Sequence, residues 1–328
     1  MKLGLVTVPL GDMPVEEMLK YVTSLGVEAV EIGVGGYPGD AHSKPEELLA
    51  DKAKLKAYKE LFPKYNTIIS ALSVHGNGVS PDKDFAKKCD YEFDRACQLA
   101  NELDLDTVIT FSGCPGGSPE DKMPNWVTCP WPDEYLKDLD YQWNDVLIPY
   151  WNKKAEVAKK YGVSKIAFEM HPAFCVYNPA TLFKLINAVG DIIGANYDPS
   201  HHIWQGIDPA KAIIEIGKAG AMFHFHAKDT KIDKYNTAVN GVLDTKHYGD
   251  EINRSWVFRS LGYGTSVEAW KEMVSALQIV GYNHVMSIEH EDSYMTSKEG
   301  LEKAIAFLRS VIISEPKPSG MFWALALK

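Results

Sequence analysis

The sequence predicts a single α/β domain folded as a (β/α)8 barrel. Short apolar runs rich in β-branched residues alternate with longer segments of helical period, and roughly eight such units follow one another along the chain. The apolar and charged fractions, 45% and 24%, are ordinary for a globular protein with one large core. No linker-like segment divides the 328 residues. We therefore assign residues 1–313 to one barrel and 314–328 to a C-terminal tail.

The β-branched runs are the predicted strands, and the helix starts between them support this assignment. Pro14, Pro179 and Pro209 each stand near the first turn of a predicted helix, where a missing backbone N–H is harmless. We expect strands at residues 3–8, 29–33, 68–74, 107–111, 165–169, 194–197, 221–226 and 285–289.

Two long segments interrupt the alternation, one after the fourth strand and one after the seventh. They span residues 112–140 and 230–264. Because both follow the carboxyl ends of strands, where a barrel builds its active site, we interpret them as walls or lids of that site. The apolar tail either docks on its own barrel or lies at a subunit interface.

Charge and cysteine content exclude several classes of protein. Lys and Arg total 34 against 44 Asp and Glu, a net charge of −10, so no positive field attracts nucleic acid or anionic lipid. The five cysteines are scattered without a CxxC pair, which is typical of reduced thiols. The chain opens on a predicted strand and carries no apolar run of ~20 residues. We therefore expect a cytoplasmic protein with no membrane and no nucleic-acid partner.

The last four predicted strands each end at or next to a residue of a type that commonly binds metals. These residues are Glu169, Asp198, His226 and Glu289. The carboxyl ends of barrel strands converge on one mouth, and three carboxylates beside one imidazole would repel one another there without a cation. We therefore predict one divalent ion bound by these four residues, in an oxygen-rich site suited to Mn²⁺ or Mg²⁺.

The words around these residues, FEMHP, NYDPSHH, HAKD and SIEHED, resemble the xylose isomerase-like TIM-barrel superfamily of sugar isomerases and epimerases. The resemblance spans nearly the whole chain. It implies a TIM barrel in which each of the last four strands supplies one ligand to a metal ion. Mn²⁺ is the foremost candidate, with Mg²⁺, Co²⁺ and Zn²⁺ as alternatives. We also expect a small carbohydrate substrate and a homo-oligomer, with a hetero-oligomer left open.

The function that the resemblance implies is a metal-dependent isomerase or epimerase of a sugar or sugar-like polyol. Moving a hydrogen next to a carbonyl requires removal of a proton from a weak carbon acid, so a base and an electrophile act together through an enediolate. In the resembling epimerases the counterparts of Glu169 and Glu289 face the sugar from opposite sides. One removes the proton and the other returns it.

Other polar residues at the same predicted mouth are candidates for binding the substrate. His75 follows the third strand, while His171 and His201 lie shortly after the fifth and sixth. Each of them could instead make a structural hydrogen bond. Lys228 and Arg259 could bind an acidic group of the substrate or could be structural ion-pair partners. Four tryptophans could offer flat faces to a sugar or could pack in the core: Trp126, Trp131, Trp204 and Trp256.

Three other functions stay open at this point. A lyase of the same superfamily, such as an inosose dehydratase or the large subunit of a C-glycoside-cleaving enzyme, would use the same enolisation to expel a leaving group. An abasic-site endonuclease would need three metals and a basic surface, which the acidic pI of about 5.5 disfavours. A non-catalytic sugar-binding protein would keep the metal cage without turnover.

Overall fold

Eight parallel strands form a closed barrel in the computed structural model, which describes residues 1–318, 320 and 323. The ten strands of the described residues are β1 Lys2–Val6, β2 Ala29–Gly33, β3 Ile68–Ser73, β4 Thr107–Thr110, β5 Lys165–Glu169, β6 Ile193–Tyr197, β7 Met222–Ala227, β8 Asp229–Ile232, β9 Trp256–Arg259 and β10 Val285–Ile288. Around the barrel the order is β1-β10-β7-β6-β5-β4-β3-β2. This architecture confirms the predicted fold class.

Helices follow the barrel strands and cover the outside of the barrel. They are α1 Val15–Ser24, α2 Pro45–Ala50, α3 Lys52–Lys64, α4 Lys83–Glu102, α5 Glu134–Asp140, α6 Ile148–Lys160, α7 Pro179–Val189, α8 Pro199–Ile203, α9 Pro209–Lys218, α10 Lys234–Asn240, α11 Val267–Ile279 and α12 Ser297–Val311. Pro179 and Pro209 occupy the first helical positions of α7 and α9, and Pro14 directly precedes α1. The proline signals in the sequence therefore mark true helix starts.

The predicted strands agree with the observed ones to within two residues at each end. The largest difference is in β1, which ends at Val6 because a 3-10 helix, Val8–Leu10, begins just beyond it. Pro9 within that turn lacks the N–H that a continuing strand would use. The eighth barrel strand, β10, ends at Ile288, so Glu289 lies immediately after the strand and not inside it.

The upper interior of the barrel is polar, whereas such interiors are mostly filled with branched apolar side chains. Glu31 of β2 contacts His226 of β7, and these strands are not neighbours in the barrel. Both side chains therefore point into the barrel interior. Oδ1 of Asn196 in β6 accepts a hydrogen bond from Nδ1 of His224 in β7 at 3.1 Å. The sequence thus places a buried polar layer directly beneath the barrel mouth.

The second long segment is more ordered than predicted. Residues expected as a loop from 230 to 264 instead contain the antiparallel pair β8–β9 and the helix α10. Asp229 joins this excursion to the barrel, because its carboxylate accepts from the backbone N–H groups of Gly262, Gly264 and Thr265 at 2.9–3.1 Å. The hairpin is therefore a fixed wall beside the mouth.

The first long segment begins irregular and ends helical. Residues 111–132 have no helix or strand, and then α5, a π-helix over Tyr141–Leu147 and α6 follow without a break. In the described part of the chain no helix combines the length and apolarity that crossing a membrane requires. The predicted tail, 314–328, falls largely outside the described residues and stays a prediction.

Candidate metal centre

Four side chains meet at the mouth of the barrel because their strands end there. Glu169 is the last residue of β5, and His226 is the penultimate residue of β7. Asp198 and Glu289 directly follow β6 and β10. One donor atom from each of the four lies within 4.8 Å of the others. The structure therefore brings together all four residues that the sequence singled out as ligands.

Local structure aims Asp198 at this meeting point. Pro199 begins α8, and Asp198 is the N-cap residue whose Oδ1 accepts from the backbone N–H of Ser200 at 2.8 Å. An N-cap carboxylate that uses one oxygen in this way leaves the other free. Burial raises the pKa of Asp198 to about 7, with Glu169 and Glu289 adding to this rise against the opposing charge of Lys228. Its second oxygen, Oδ2, faces the other three candidate ligands.

Three of the converging donor atoms are buried and make no hydrogen bond, although the Lys228 ammonium forms ion pairs with the two carboxylate oxygens among them, at 3.0 and 2.8 Å. The three atoms are Oδ2 of Asp198, Nδ1 of His226 and Oε2 of Glu289. An unpaired polar atom in a protein interior costs about 1–3 kcal/mol, so buried polar groups nearly always have partners. Lys228 carries one positive charge against the three carboxylates of Glu169, Asp198 and Glu289, so a divalent cation between these atoms would balance the remaining negative charge. The donor set of three carboxylates and one imidazole fits Mn²⁺, Mg²⁺ or Zn²⁺.

Glu31 fixes His226 in the orientation that a metal ligand needs. Both carboxylate oxygens of Glu31 lie 2.9 Å from Nε2 of His226, so the N–H at this position donates a hydrogen bond to Glu31. Nδ1 of His226 then presents a lone pair, and it lies 3.3 Å from Glu169 and 3.2 Å from Glu289. A metal-binding histidine commonly has a carboxylate behind it in this way. Ser73 donates a hydrogen bond to Glu31 from β3.

The sequence analysis missed Glu31, although the sequence carries a signal for it. Glu31 is the charged residue inside the otherwise apolar strand AVEIG, and its side chain is fully buried. A charge is rarely buried in a strand without a partner. Burial alone would raise the pKa of Glu31, but His226 and His224 hold it at about 2, so the carboxylate stays ionised.

Two histidines hold Glu169 in place. Nε2 of His75 lies 2.9 Å from one oxygen of Glu169, and Nε2 of His201 lies 2.9 Å from the other. Although burial raises the pKa of Glu169, the hydrogen bonds from His201, His226 and His75 hold it well below its ordinary value. The predicted substrate ligands His75 and His201 are therefore direct partners of a candidate metal ligand.

Lys228 lies among the carboxylates and does not point into open space. Its Nζ is 3.0 Å from Asp198 Oδ2, 2.8 Å from Glu289 Oε2 and 3.0 Å from Glu291. Burial opposes a charged lysine here, but the three carboxylates hold the pKa of Lys228 well above its ordinary value. The ammonium group therefore neutralises part of the negative charge of the candidate centre.

A cavity of about 500 Å³ opens directly above the candidate ligands. Glu169, His226 and Glu289 line its floor, and His75 and His171 line its wall. Burial lowers the pKa of His171, so its imidazole is neutral near pH 7. Phe111 and Phe174 stack with ring centroids 4.3 Å apart and add an apolar surface. The cavity thus combines carboxylates, neutral imidazoles and aromatic faces, as sites for small polar ligands do.

Arg259 is not among the described residues that line this cavity. Its Nε lies 3.1 Å from Asp292, and its guanidinium stacks over Tyr294 at 4.4 Å. Arg259 therefore pairs with Asp292 and Tyr294 beside the mouth, and the structure gives no support for its predicted contact with the substrate.

The four tryptophans of the long segments have different environments. Trp204 and Trp256 are buried and stack almost parallel with centroids 4.5 Å apart. Trp126 packs edge-on against Tyr177, whereas Trp131 is 73% exposed. Packing therefore accounts for Trp204 and Trp256, as the alternative interpretation of the sequence allowed.

Similar proteins are known from sequence and from structure. The chain is 40% identical over 314 residues to the uncharacterized protein YfiH of Bacillus subtilis (strain 168), which covers 95% of this chain and 99% of that protein. The fold of the chain described here matches that of the probable 3-DHS dehydratase AsbF of Bacillus anthracis, with a TM-score of 0.65 and 15% identity, over 94% of this chain and 99% of AsbF. It also matches the 3-keto-D-glucoside 4-epimerase YcjR of E. coli with a TM-score of 0.64 and 13% identity, over 94% and 99%.

These structural matches show a shared fold, since their sequence identities are low. Family membership follows from the sequence itself. The model of the family described as "Xylose isomerase-like TIM barrel" matches residues 19–311, which is most of the chain. The protein therefore belongs to the xylose isomerase-like TIM barrel family.

Proposed function

We propose that this protein is a metal-dependent isomerase or epimerase of a sugar or sugar-like polyol. The observation that carries the proposal is the convergence of four buried or half-buried donor groups, from Glu169, Asp198, His226 and Glu289, within 4.8 Å of one another beneath a cavity. Such an arrangement is suited to a divalent ion with one face open to a ligand. These four residues are the proposed ligand set.

The bound ion, most simply Mn²⁺, would supply an electrophile that polarises a substrate carbonyl. The chain itself would supply the proton transfer. Glu169 and Glu289 both line the cavity, and both are ionised at neutral pH because their pKa values are held low against burial, chiefly by His201 for Glu169 and by Lys228 for Glu289. Each is therefore in the form that accepts a proton.

The two glutamates differ in how firmly they are held. Each oxygen of Glu169 has a histidine at 2.9 Å and its side chain is 3% exposed, whereas Glu289 pairs with Lys228 at 2.8 Å and its side chain is 19% exposed. We assign Glu289 as the group that removes the proton beside the carbonyl and Glu169 as the group that returns it to the opposite face. His171 would bind a substrate hydroxyl, since its neutral ring lines the cavity beside Glu169.

The names of two structural matches support this class of reaction. One structural match carries the name of an epimerase acting on a 3-keto-D-glucoside, and another the name of a probable dehydratase. Both names are compatible with abstraction of a proton next to a carbonyl. The cytoplasmic location and the homo-oligomeric state remain predictions.

Solvent exchange tests the proposal directly. The protein loaded with Mn²⁺ is incubated in deuterated water with ketoses, 3-keto sugars and inososes, and each sugar is then examined by NMR and mass spectrometry. Deuterium should enter at the carbon beside the carbonyl in at least one sugar, and chelation of the metal should stop this exchange. Turnover without deuterium would exclude the enediolate route. Absence of both turnover and exchange in every sugar would refute the proposal.

The same experiment separates an isomerase from a lyase. An isomerase or epimerase returns a product of unchanged mass apart from deuterium, whereas a lyase returns a product that has lost water or a larger group. Exchange accompanied by loss of mass would replace the isomerase with a dehydratase or a glycoside-cleaving enzyme that uses the same proton abstraction.

A further inference from the structure

The space beside the candidate metal centre extends beyond the first cavity. Two further cavities, of about 390 and 190 Å³, adjoin it. His171 lines all three cavities, Glu291 lines the first and second, and Tyr248 and Phe258 line the second and third. We call the second and third cavities together the extended cleft. The residues that it shares with the first cavity place it directly beside the proposed catalytic cavity.

The combined space is large for a free monosaccharide. Pockets that hold drug-sized ligands range over about 300–1,000 Å³, and the first cavity, at about 500 Å³, already lies in that range. A single sugar ring is smaller than such ligands, so a monosaccharide at the metal centre would leave the extended cleft unfilled. A substrate that fills the cleft carries a second group.

The walls of the extended cleft are suited to a ring. Tyr248 is half-exposed and stacks nearly parallel with Phe258, with centroids 5.8 Å apart and an angle of 19°. Trp126 and Trp256 line the third cavity with them. Aromatic faces bind the apolar faces of other rings by stacking and by contact with C–H groups.

The charges around the cleft disfavour an anionic group. Glu291 is a carboxylate in its wall, and Lys228 is already paired with Glu291 at 3.0 Å and with two further carboxylates. Arg254 donates to the carbonyl of Trp256 and lies over the ring of Tyr248 at 4.3 Å. In the described residues both cations therefore already have partners, and the carboxylate of Glu291 would repel a phosphate or carboxylate.

The wall that carries Tyr248 is fixed before any ligand arrives. Asp244 accepts from the backbone N–H of Ser255 at 2.6 Å, and the indole of Trp256 donates to the carbonyl of Val242 at 3.0 Å. These bonds tie the segment before β9 to the strand itself. A preformed wall reduces the entropy lost on binding.

We propose that the natural substrate is a glycoside, a keto-sugar that carries a neutral ring substituent in the extended cleft. The substituent lies against Tyr248 and Phe258, and the reacting carbons of the sugar face the candidate metal centre past His171. The position of the reacting end rests on the proposed function. The substituent is either a second sugar ring or an aromatic aglycone, since both present an uncharged face to the same aromatic wall.

Binding to the Mn²⁺-loaded protein tests the cleft without requiring turnover. Calorimetry compares D-glucose, D-glucose 6-phosphate, trehalose and phenyl β-D-glucoside. At least one of the two ring-bearing probes should bind about 10-fold more tightly than D-glucose, because each aromatic contact is worth about 3- to 10-fold. Trehalose represents a second sugar, and the phenyl glucoside represents an aromatic aglycone. Equal binding of all four, or tightest binding of the phosphate, would refute the proposal.

Two matched tyrosine variants locate the effect. Tyr248→Ala should weaken the preferred ring-bearing probe by about 3- to 10-fold, and should therefore lower its preference over D-glucose. Tyr235 lies in α10 of the same excursion, is 78% exposed and lines none of the three cavities. Tyr235→Ala should leave every affinity unchanged. Equal effects of the two substitutions would overturn the assignment of the cleft.

The keto derivatives of the same probes separate this proposal from the proposed function. Preferential binding of a ring-bearing probe with no deuterium uptake by its 3-keto form would refute the isomerase and retain the cleft. Deuterium uptake by 3-keto-glucose, without preference for any ring-bearing probe, would retain the isomerase and refute the cleft.

Discussion

Glu31 offers the sharpest test of the candidate metal centre, because it should act on the metal only through His226. Its carboxylate is fully buried, accepts from Nε2 of His226 at 2.9 Å and receives a hydrogen bond from Ser73. Glu31→Gln keeps the shape and an acceptor for His226 but removes the charge. Its amide N–H₂ would face the Ser73 hydroxyl, which can accept, so the fold should be retained.

The size of the effect follows from these contacts. A hydrogen bond to a charged group contributes about 1.5–3 kcal/mol, against about 0.5–1.5 kcal/mol for a neutral one. Glu31→Gln should therefore weaken metal binding by about 1.4 kcal/mol, or about tenfold in Kd. Glu31→Ala also leaves the N–H of His226 unpaired, and the loss should reach about 100-fold.

Competition between the protein and a chromophoric chelator for Mn²⁺ and for Zn²⁺ measures these dissociation constants. Glu28→Gln is the matched control, because Glu28 is exposed and precedes β2 at the opposite end of the strand from the candidate centre. Circular dichroism checks that each variant is folded. If folded Glu31→Gln and Glu31→Ala bind both metals as tightly as the Glu28→Gln control, Glu31 does not orient a metal ligand.

Three further predictions concern catalysis and stability. Glu169→Gln and Glu289→Gln should each lower kcat by about 10²–10⁴-fold while leaving the melting temperature near that of the parent; full activity in either would remove that residue from the mechanism. Burial lowers the pKa of His202 from 6.5 to about 3. Below pH 6.5 His202 is therefore protonated in the unfolded chain but not in the folded chain, and the free energy of unfolding falls as the pH decreases towards 3. At pH 5 this residue alone should account for about 2 kcal/mol of lost stability, and urea unfolding of His202→Gln should show a shallower loss between pH 7 and 5; an unchanged slope would contradict this. Asp229→Asn should destabilise the protein by about 2–4 kcal/mol in urea unfolding, because it replaces a buried acceptor of several N–H groups with an amide that also donates; a change below about 0.5 kcal/mol, typical of a surface substitution, would show that Asp229 does not clamp the hairpin.

Much of the candidate centre could be predicted from the sequence because it depends on local pattern. A β-branched run followed by Glu169, Asp198, His226 or Glu289 indicates both the strand and the residue at its end. Once the alternation indicates a barrel, the closed topology places all strand ends on one mouth. The sequence alone thus predicts that the four residues converge, and in the structure their donor atoms lie within 4.8 Å of one another.

The contacts between distant residues were decided by the tertiary structure alone. Glu31 is 195 positions from His226 in the chain, and only closure of the barrel brings β2 opposite β7. Lys228 and Arg259 looked alike as cations near strand ends, yet one lies among the candidate ligands and the other pairs with Asp292. Local pattern reports which face a side chain occupies, not which partner it meets there.

The sequence by itself determined the barrel, the order of its strands along the chain and the residues at its mouth, because these depend on periodicity and on short-range signals such as proline at helix starts. Only the tertiary structure decided that residues 230–264 contain an ordered hairpin, since Asp229 makes it a fixed wall through backbone groups more than 30 positions away. The same long-range packing joins Tyr248 and Phe258 to His171 around one cleft. Such contacts carry no local signature, because their energy is gained only when distant segments meet.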